Sequence, residues 1–379
     1  MDNVQLSTAF SDTFGHAPAA LCHAPGRVNL IGEHTDYNQG FVFPAAINFG
    51  TWVAASARND DDCCVVAMDY QNQESRFPLD DIQPDPEQSW SNYVRGVLLV
   101  LQQEYKLPGG INLLVTGNVP QGAGLSSSAS FEVAVLKAVS DLYALDIDGV
   151  KAALLGQKAE NDFVGCSCGI MDQLISAMGK KDHAMLLDCQ SLTFDHSTLP
   201  DDLHIVIINS NVKRGLVDSE YNLRRQQCEQ GASLLGVPSL REATLEALEI
   251  AKANMPEVVY RRARHIITEN ARTYTMFDAL KENDIATVSE AMAASHASMR
   301  DDFEITVPPI DYLVELISGL LGKQGGVRMT GGGFGGCVVA LVPEALIEEV
   351  KALVNQHYYA ETGYKADIYD CTATQGAFA

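Results

Sequence analysis

The chain has 379 residues, 46% hydrophobic and 20% charged, with 26 basic side chains against 49 acidic and a formal net charge of −23. That length is generous for one hydrophobic core and argues for two domains, while the charge excludes nucleic acid and anionic membrane surfaces as partners. No apolar run approaches the roughly 18 residues of a membrane-spanning helix, and Met1-Asp-Asn-Val-Gln lacks the basic and apolar regions of a secretory signal, so a cytoplasmic protein is expected.

In chain order, Phe41–Phe43, Thr51–Ala55 and Cys64–Met68 read as strands, and residues 78–90 as a polar, proline-broken loop. A helix follows, with Val94, Val97, Leu98, Leu101 and Tyr105 on one stripe. The strand Ile111–Thr116 leads into Gly122-Ala-Gly-Leu-Ser-Ser-Ser-Ala129, after which Phe131, Val135, Ala138, Val139 and Leu142 mark a long apolar helix. Residues 150–163 form another helix, Gly165–Gly169 breaks it, and a short helix begins near Ile170. His183–Asp188 and His204–Asn209 look like strands, and residues 216–300 read as almost wholly helical, with Pro238 and Pro256 marking starts. The last unit is strand (Gly326–Thr330), glycine turn, strand (Cys337–Val342), helix (Glu344–His357) and strand (Ala366–Asp370). The class is therefore α/β or α+β, and a composition shift near residue 195 suggests domains of 1–195 and 196–379.

The nine cysteines are odd in number and never spaced Cys-x-x-Cys. Reduced, mostly buried thiols are expected, with Cys63-Cys64 and Cys166-x-Cys168 acting as small hydrophobic filling.

Three segments carry chemistry. The loop 122–128 puts two glycines and three serines at a helix start, where close backbone approach, free N–H groups and the helix dipole suit an anion. The bland alternative is a serine-rich N-cap. No Walker A pattern occurs, so a P-loop NTPase is excluded. The second segment, Pro25 to Gly40, places Arg27, Glu33, His34 and Asp36 on an irregular turn. Its carboxylates can accept hydrogen bonds from one neutral polyol. A metal on Glu33, His34 and Asp36 is the rival, weakened because no further histidine lies at a suitable spacing. The third, Gly331-Gly-Gly-Phe-Gly-Gly-Cys337, matches a dinucleotide fingerprint literally but is followed by a strand where that fold needs a helix. A hairpin lying close to another loop or a ligand is expected instead.

Together these segments resemble the galactokinases of the GHMP kinase superfamily: Gly26-Arg-Val-Asn-Leu-Ile-Gly-Glu-His-Thr-Asp-Tyr-Asn the family signature, Pro120 to Ser130 the phosphate-binding motif, and Gly331 to Gly336 the C-terminal motif. The resemblance implies an α+β, two-domain GHMP kinase architecture: an N-terminal domain like ribosomal protein S5 domain 2, a ferredoxin-like C-terminal domain, and an active site between them. It implies transfer of the γ-phosphoryl of ATP to the C1 hydroxyl of α-D-galactose, in galactose catabolism, and a monomer is expected. Carried over by position, Glu33, His34, Thr35, Asp36 and Tyr221 would hold the sugar, and Gly122, Ala123, Gly124, Leu125, Ser126, Ser127 and Ser128 the nucleotide. Ser128 and Glu160 would ligate Mg²⁺, Asp172 would be the catalytic aspartate, and Arg27 would stabilise transferring charge. Asp172 stands in the first turn of its helix, where the dipole favours its ionised form. A sibling kinase for N-acetylgalactosamine or arabinose, or a non-catalytic sugar sensor, are the competing readings; the intact serine loop argues against the sensor. Residues 216–300 carry no legible chemistry and are expected only to wall the sugar side.

Overall fold

The computed structural model describes residues 1–120, 122–166, 168–212 and 217–379, with Val217 and Asp218 described in backbone only. The chain opens with α1 (Asn3–Phe14), started by a reciprocal cap in which the Asp2 side chain accepts from Gln5 N and the Gln5 side chain from Asp2 N. Its Leu6 and Phe10 are buried against Ala54, Cys64, Val66 and Leu114.

That surface is one face of a five-stranded sheet of β1 (Ala20–Asn29), β3 (Pro44–Ala57), β6 (Ile111–Gly117), β4 (Asp62–Ala67) and β5 (Gln73–Pro78), in the order β1-β3-β6-β4-β5. All its pairings are antiparallel except β4 with β6. The other face packs against α2 (Asn92–Glu104), α3 (Ser127–Tyr143), α4 (Gly149–Ala159) and α5 (Met171–Met178), forming the N-terminal core. A smaller sheet joins β2 (Phe41–Val42), β7 (His183–Asp188) and β8 (Phe194–Thr198). Residue 195 lies within β8.

The C-terminal half is built on an antiparallel sheet of β9 (Leu203–Asn209), β10 (Gly326–Thr330), β11 (Cys337–Pro343) and β12 (Asp367–Cys371), in the order β10-β11-β9-β12. Its helices are α6 (Val217–Leu235), α7 (Leu245–Ala251), α8 (Glu257–Lys281), α9 (Ile285–Asp301), α10 (Pro308–Leu321) and α11 (Ile347–Thr362). The glycine segment 331–336 joins β10 to β11 as the expected hairpin. Val28, Leu30, Ile31 and Phe43 from one half pack with Ile205, Ile207, Met276 and Val339 from the other, so an apolar seam fixes the halves together. The C-terminal tail returns across it, with Gly376 N donating to Gly179 O (2.7 Å) just beyond α5.

Several elements depart from the sequence reading. Helices α1 and α10 and strands β1, β5 and β8 were not legible; β5 and β8 are edge strands whose alternation is mostly polar, and β1 runs through Arg27, where an irregular turn was expected. Pro256 directly precedes α8 as expected, whereas Pro238 precedes only a single turn at Leu240–Glu242. Gln121, Ser167 and Leu216, each inside a segment interpreted from sequence, lie outside the described residues. Among the described residues, no helix is long and apolar enough to cross a membrane.

Candidate active site

Three elements far apart in sequence meet at one buried pair. Arg27 lies on β1 where the register with β3 shifts between Pro25 and Arg27, and such an irregularity re-aims a side chain. Its guanidinium grips Asp172 in a fork, with Nε 2.6 Å from Oδ1 and Nη2 2.7 Å from Oδ2, while Nη1 donates to the Gly124 carbonyl at 2.6 Å. Asp172 sits in the first turn of α5. The Ser126 hydroxyl donates to the same Asp172 Oδ2 at 2.5 Å. The backbone also joins β1 to the loop, because Arg27 N donates to Leu125 O (3.1 Å). Gly26 makes this possible: a Cβ there would stand 2.7 Å from Leu125 O.

Ser126 precedes α3 at φ 59°, in the left-handed region that non-glycine residues rarely occupy, and makes no side-chain capping bond. The serine-rich N-cap is thereby excluded for Ser126, whose hydroxyl is committed to Asp172.

The turn after β1 forms the opposite wall. Glu33 is buried; Oε1 accepts from Gly331 N (2.7 Å), and Oε2 accepts from Asn29 Nδ2 (3.1 Å) and forms an ion pair with the fully buried Arg328. Burial pushes the Glu33 carboxyl up to about 7, against the pull of Arg328 and Arg27. His34 stands at φ 63°, its Nδ1 2.9 Å from the Tyr37 hydroxyl and its ring 5.1 Å from that of Tyr221. Burial lowers its imidazole to about 3, so it is neutral. Asp36 lies against Gly169, where a Cβ would come within 2.0 Å of Oδ2. Burial, and then the charge of Asp172, raise Asp36 to about 6.

Arg27, Glu33, His34, Asp36, Asp172 and Tyr221 line a cavity of about 350 Å³ together with Gly122, Gly124, Leu125, Ser126, Ser127, Ser128 and Glu160. Two expected contacts do not line it. Thr35 is fully buried, its hydroxyl turned to the Gly32 and Phe41 carbonyls (2.9 and 2.7 Å), where it closes the turn. Ala123 is fully buried in the apolar seam. Cys166 also departs from expectation: it is exposed and lines the cavity with Cys168, whereas Cys63 and Cys64 are buried filling. No disulfide joins any of the cysteines among the described residues.

A second cavity of about 700 Å³ shares Ser127 and Ser128 with the first and is lined by Tyr70, Gln73, Trp90, Tyr93 and Phe131. The Tyr70 and Trp90 rings stack at 6.2 Å, and Trp90 Nε1 donates to Gln73 Oε1 at 2.7 Å. Sequence reasoning missed this cavity, because its residues come from a polar loop, the start of β5 and the helices α2 and α3, far apart in the chain. The serine loop thus stands between an aromatic-walled space and a carboxylate-lined one.

Glu160 sits where α4 passes into a turn of π-helix (Glu160–Val164), an irregularity frequent at functional sites. Burial raises its carboxyl, opposed by hydrogen bonds that include one from Ser128. Gln173 Nε2 holds Glu160 Oε2 (2.6 Å) and Glu132 Oε2 (3.1 Å), and Glu132 Oε1 is buried without a hydrogen-bond partner. A hydroxyl and a carboxylate short of positive charge fit a hard divalent cation that keeps several waters. Among the described residues, no group of three or more His, Cys, Asp or Glu forms a fuller metal cage.

The fold around this site is that of the GHMP kinases. The GHMP kinase N-terminal domain matches residues 92–180, the GHMP kinase C-terminal domain residues 276–360, and the galactokinase galactose-binding signature residues 8–57. The crystal structure of Lactococcus lactis galactokinase complexed with galactose is 35% identical over 98% of each chain, with a TM-score of 0.93. Methanococcus jannaschii mevalonate kinase (18% identity, 94% of this chain and 98% of that one, TM-score 0.67) shares the fold. So does Streptococcus pneumoniae phosphomevalonate kinase in complex with phosphomevalonate and AMPPNP (15%, 93% and 99%, TM-score 0.62). The chain belongs to the galactokinases, which are ATP-dependent sugar kinases.

Proposed function

We propose that this cavity transfers the γ-phosphoryl of ATP to the C1 hydroxyl of α-D-galactose, giving galactose 1-phosphate and ADP. The observation that carries the reading is the meeting of Arg27, Ser126 and Asp172 at the floor of a cavity whose wall is the Glu33–Asp36 turn. Glu33 and Asp36 offer acceptors to sugar hydroxyls, neutral His34 offers a ring nitrogen, and Tyr221 gives an aromatic face. The aromatic cavity, with Tyr70 stacked on Trp90, has the shape and chemistry for a purine. Between the two spaces, the start of α3 and the loop 122–128 receive the phosphates.

Phosphoryl transfer needs an in-line acceptor and positive charge on the equatorial oxygens. Arg27 has five N–H donors; three are committed to Asp172 and Gly124, leaving two for a phosphoryl oxygen. Asp172, held on both oxygens, orients the C1 hydroxyl and takes its proton late, as a loose transition state requires. Ser128 and Glu160 would hold Mg²⁺, which when bound would supply positive charge to the phosphates.

Two domains with a boundary near residue 195, a cytoplasmic location and a monomeric state complete the reading. The test is a sugar panel assayed for ADP release, with the product identified by ³¹P NMR. Galactose should be preferred over N-acetylgalactosamine and arabinose, with phosphate on C1. ADP release indifferent to the sugar would refute the proposal.

A further inference from the structure

Helix α8 falls in the segment that looked chemically silent, yet its buried face is polar at helical spacing: His265, Glu269, Asn270 and Thr273 are all at most 9% exposed. A fully buried carboxylate is costly unless something needs its charge. Glu269 Oε1 accepts from Gly32 N (3.1 Å), Glu33 N (3.3 Å) and the Ser295 hydroxyl (2.6 Å), and Oε2 accepts from Arg272 Nε (2.7 Å). His265 Nε2 donates to the Glu33 carbonyl at 3.1 Å, and its Nδ1 lies 2.9 Å from the Ser298 hydroxyl. Next to Glu269, Asn270 Oδ1 accepts from Phe41 N (3.0 Å) on the returning leg.

Gly32 and Glu33 lie between the end of β1 and the turn at Asp36–Asn38, outside any strand, so their buried amides need acceptors from elsewhere. Glu269 supplies one for both. The peptide groups on either side of the Glu33 Cα are thus fixed from a helix more than 230 residues away. This sets the direction of the Glu33 carboxylate and the left-handed His34 that follows it.

We propose that Glu269 and His265 are positioning residues for sugar recognition: they hold the Gly32–Glu33 backbone so that Glu33, His34 and Asp36 converge on the sugar. The proposal rests on the reading of that turn as the sugar grip. Burial opposes the Glu269 charge, but Arg272, helped by Arg328 and the Ser295 hydroxyl, outweighs it and keeps the carboxyl down at about 2, so the acceptor stays ionised; His265, lowered by burial to about 4, is neutral.

The test measures galactose and ATP dissociation constants separately by calorimetry, with steady-state kinetics and thermal melting, on Glu269→Gln, His265→Leu and His265→Gln. Losing a hydrogen bond that orders a binding turn should weaken galactose about tenfold in His265→Leu. ATP affinity should stay within about twofold, and kcat at saturating galactose within about threefold. His265→Gln, whose amide nitrogen can reach the Glu33 carbonyl, should recover most of the galactose affinity at a similar melting temperature. Galactose and ATP affinities falling together, or unchanged galactose affinity in His265→Leu, would overturn the proposal alone. A parent protein that binds ATP but no galactose would overturn the sugar reading and the proposal with it.

Discussion

Replacing Asp172 by Asn probes the reacting centre with little change of shape. Asp172 is held by both arms of the Arg27 fork and by Ser126, so the amide enters a site built for two acceptor oxygens. Its nitrogen must face either Arg27 Nε, in place of Oδ1, or Arg27 Nη2 and the Ser126 hydroxyl together, in place of Oδ2, and the proton acceptor is lost. General-base contributions run to about 10²–10⁴-fold, so kcat should fall by at least about a hundredfold. Galactose affinity should change far less, about fivefold or under, because Glu33, His34, Asp36 and Tyr221 are untouched. Stability should also fall, because Arg27 (side chain 8% exposed) loses its partner; Asp172 is 25% exposed, so about 1–3 kcal/mol is expected rather than the larger cost of a wholly buried pair. Coupled ADP-release kinetics with both substrates varied, calorimetric galactose binding and thermal melting separate these effects. Turnover within about threefold of the parent would refute the role given to Asp172.

Ser126→Ala removes one bond to the Asp172 carboxylate; kcat should drop about tenfold, the worth of a hydrogen bond to a charged group, with ATP affinity little changed. Glu160→Gln should weaken Mn²⁺ binding by nucleotide-loaded protein, read by electron paramagnetic resonance, and raise the Mg²⁺ needed for turnover. Trp90→Ala should raise the KM for ATP by about tenfold or more through lost ring stacking, leaving the KM for galactose unchanged. Galactose affinity should fall with acidity, because Glu33 (about 7) and Asp36 (about 6) accept sugar hydroxyls fully only when ionised. Affinity is therefore highest above pH 7 and lost through 7 to 6, and Asp36→Asn should remove the lower step. The same raised values mean that the ligand-free native state holds protons the unfolded chain releases, so these groups cost stability as pH rises from about 4 to 7.

The site was legible where one short segment carries its own chemistry. Arg27, Glu33, His34 and Asp36 fall within ten residues of one another, and the glycines and serines of 122–128 announce an anion site, whereas Asp172 was reached only through the family resemblance. Sequence could not show the purpose of each polar group. Thr35 turns inward to close its turn, and Ser126 serves Asp172 instead of capping α3. The aromatic cavity escaped notice because Tyr70, Trp90 and Phe131 have no common spacing. Helix α8 escaped for the opposite reason: His265 and Glu269 are four apart, like any solvated helix face, and only burial shows that they point inward. Arg328, on a segment read only as a strand, gave no sign that it would pair with Glu33 across the seam.

The most direct test of the central claim is a crystal structure with galactose and a non-hydrolysable ATP analogue bound together. The galactose C1 hydroxyl should lie within hydrogen-bonding distance of Asp172, with Glu33 and Asp36 on the remaining hydroxyls and the γ-phosphate facing Arg27 from the start of α3. Galactose bound away from Asp172, or a nucleotide whose phosphates avoid the loop 122–128, would contradict the account.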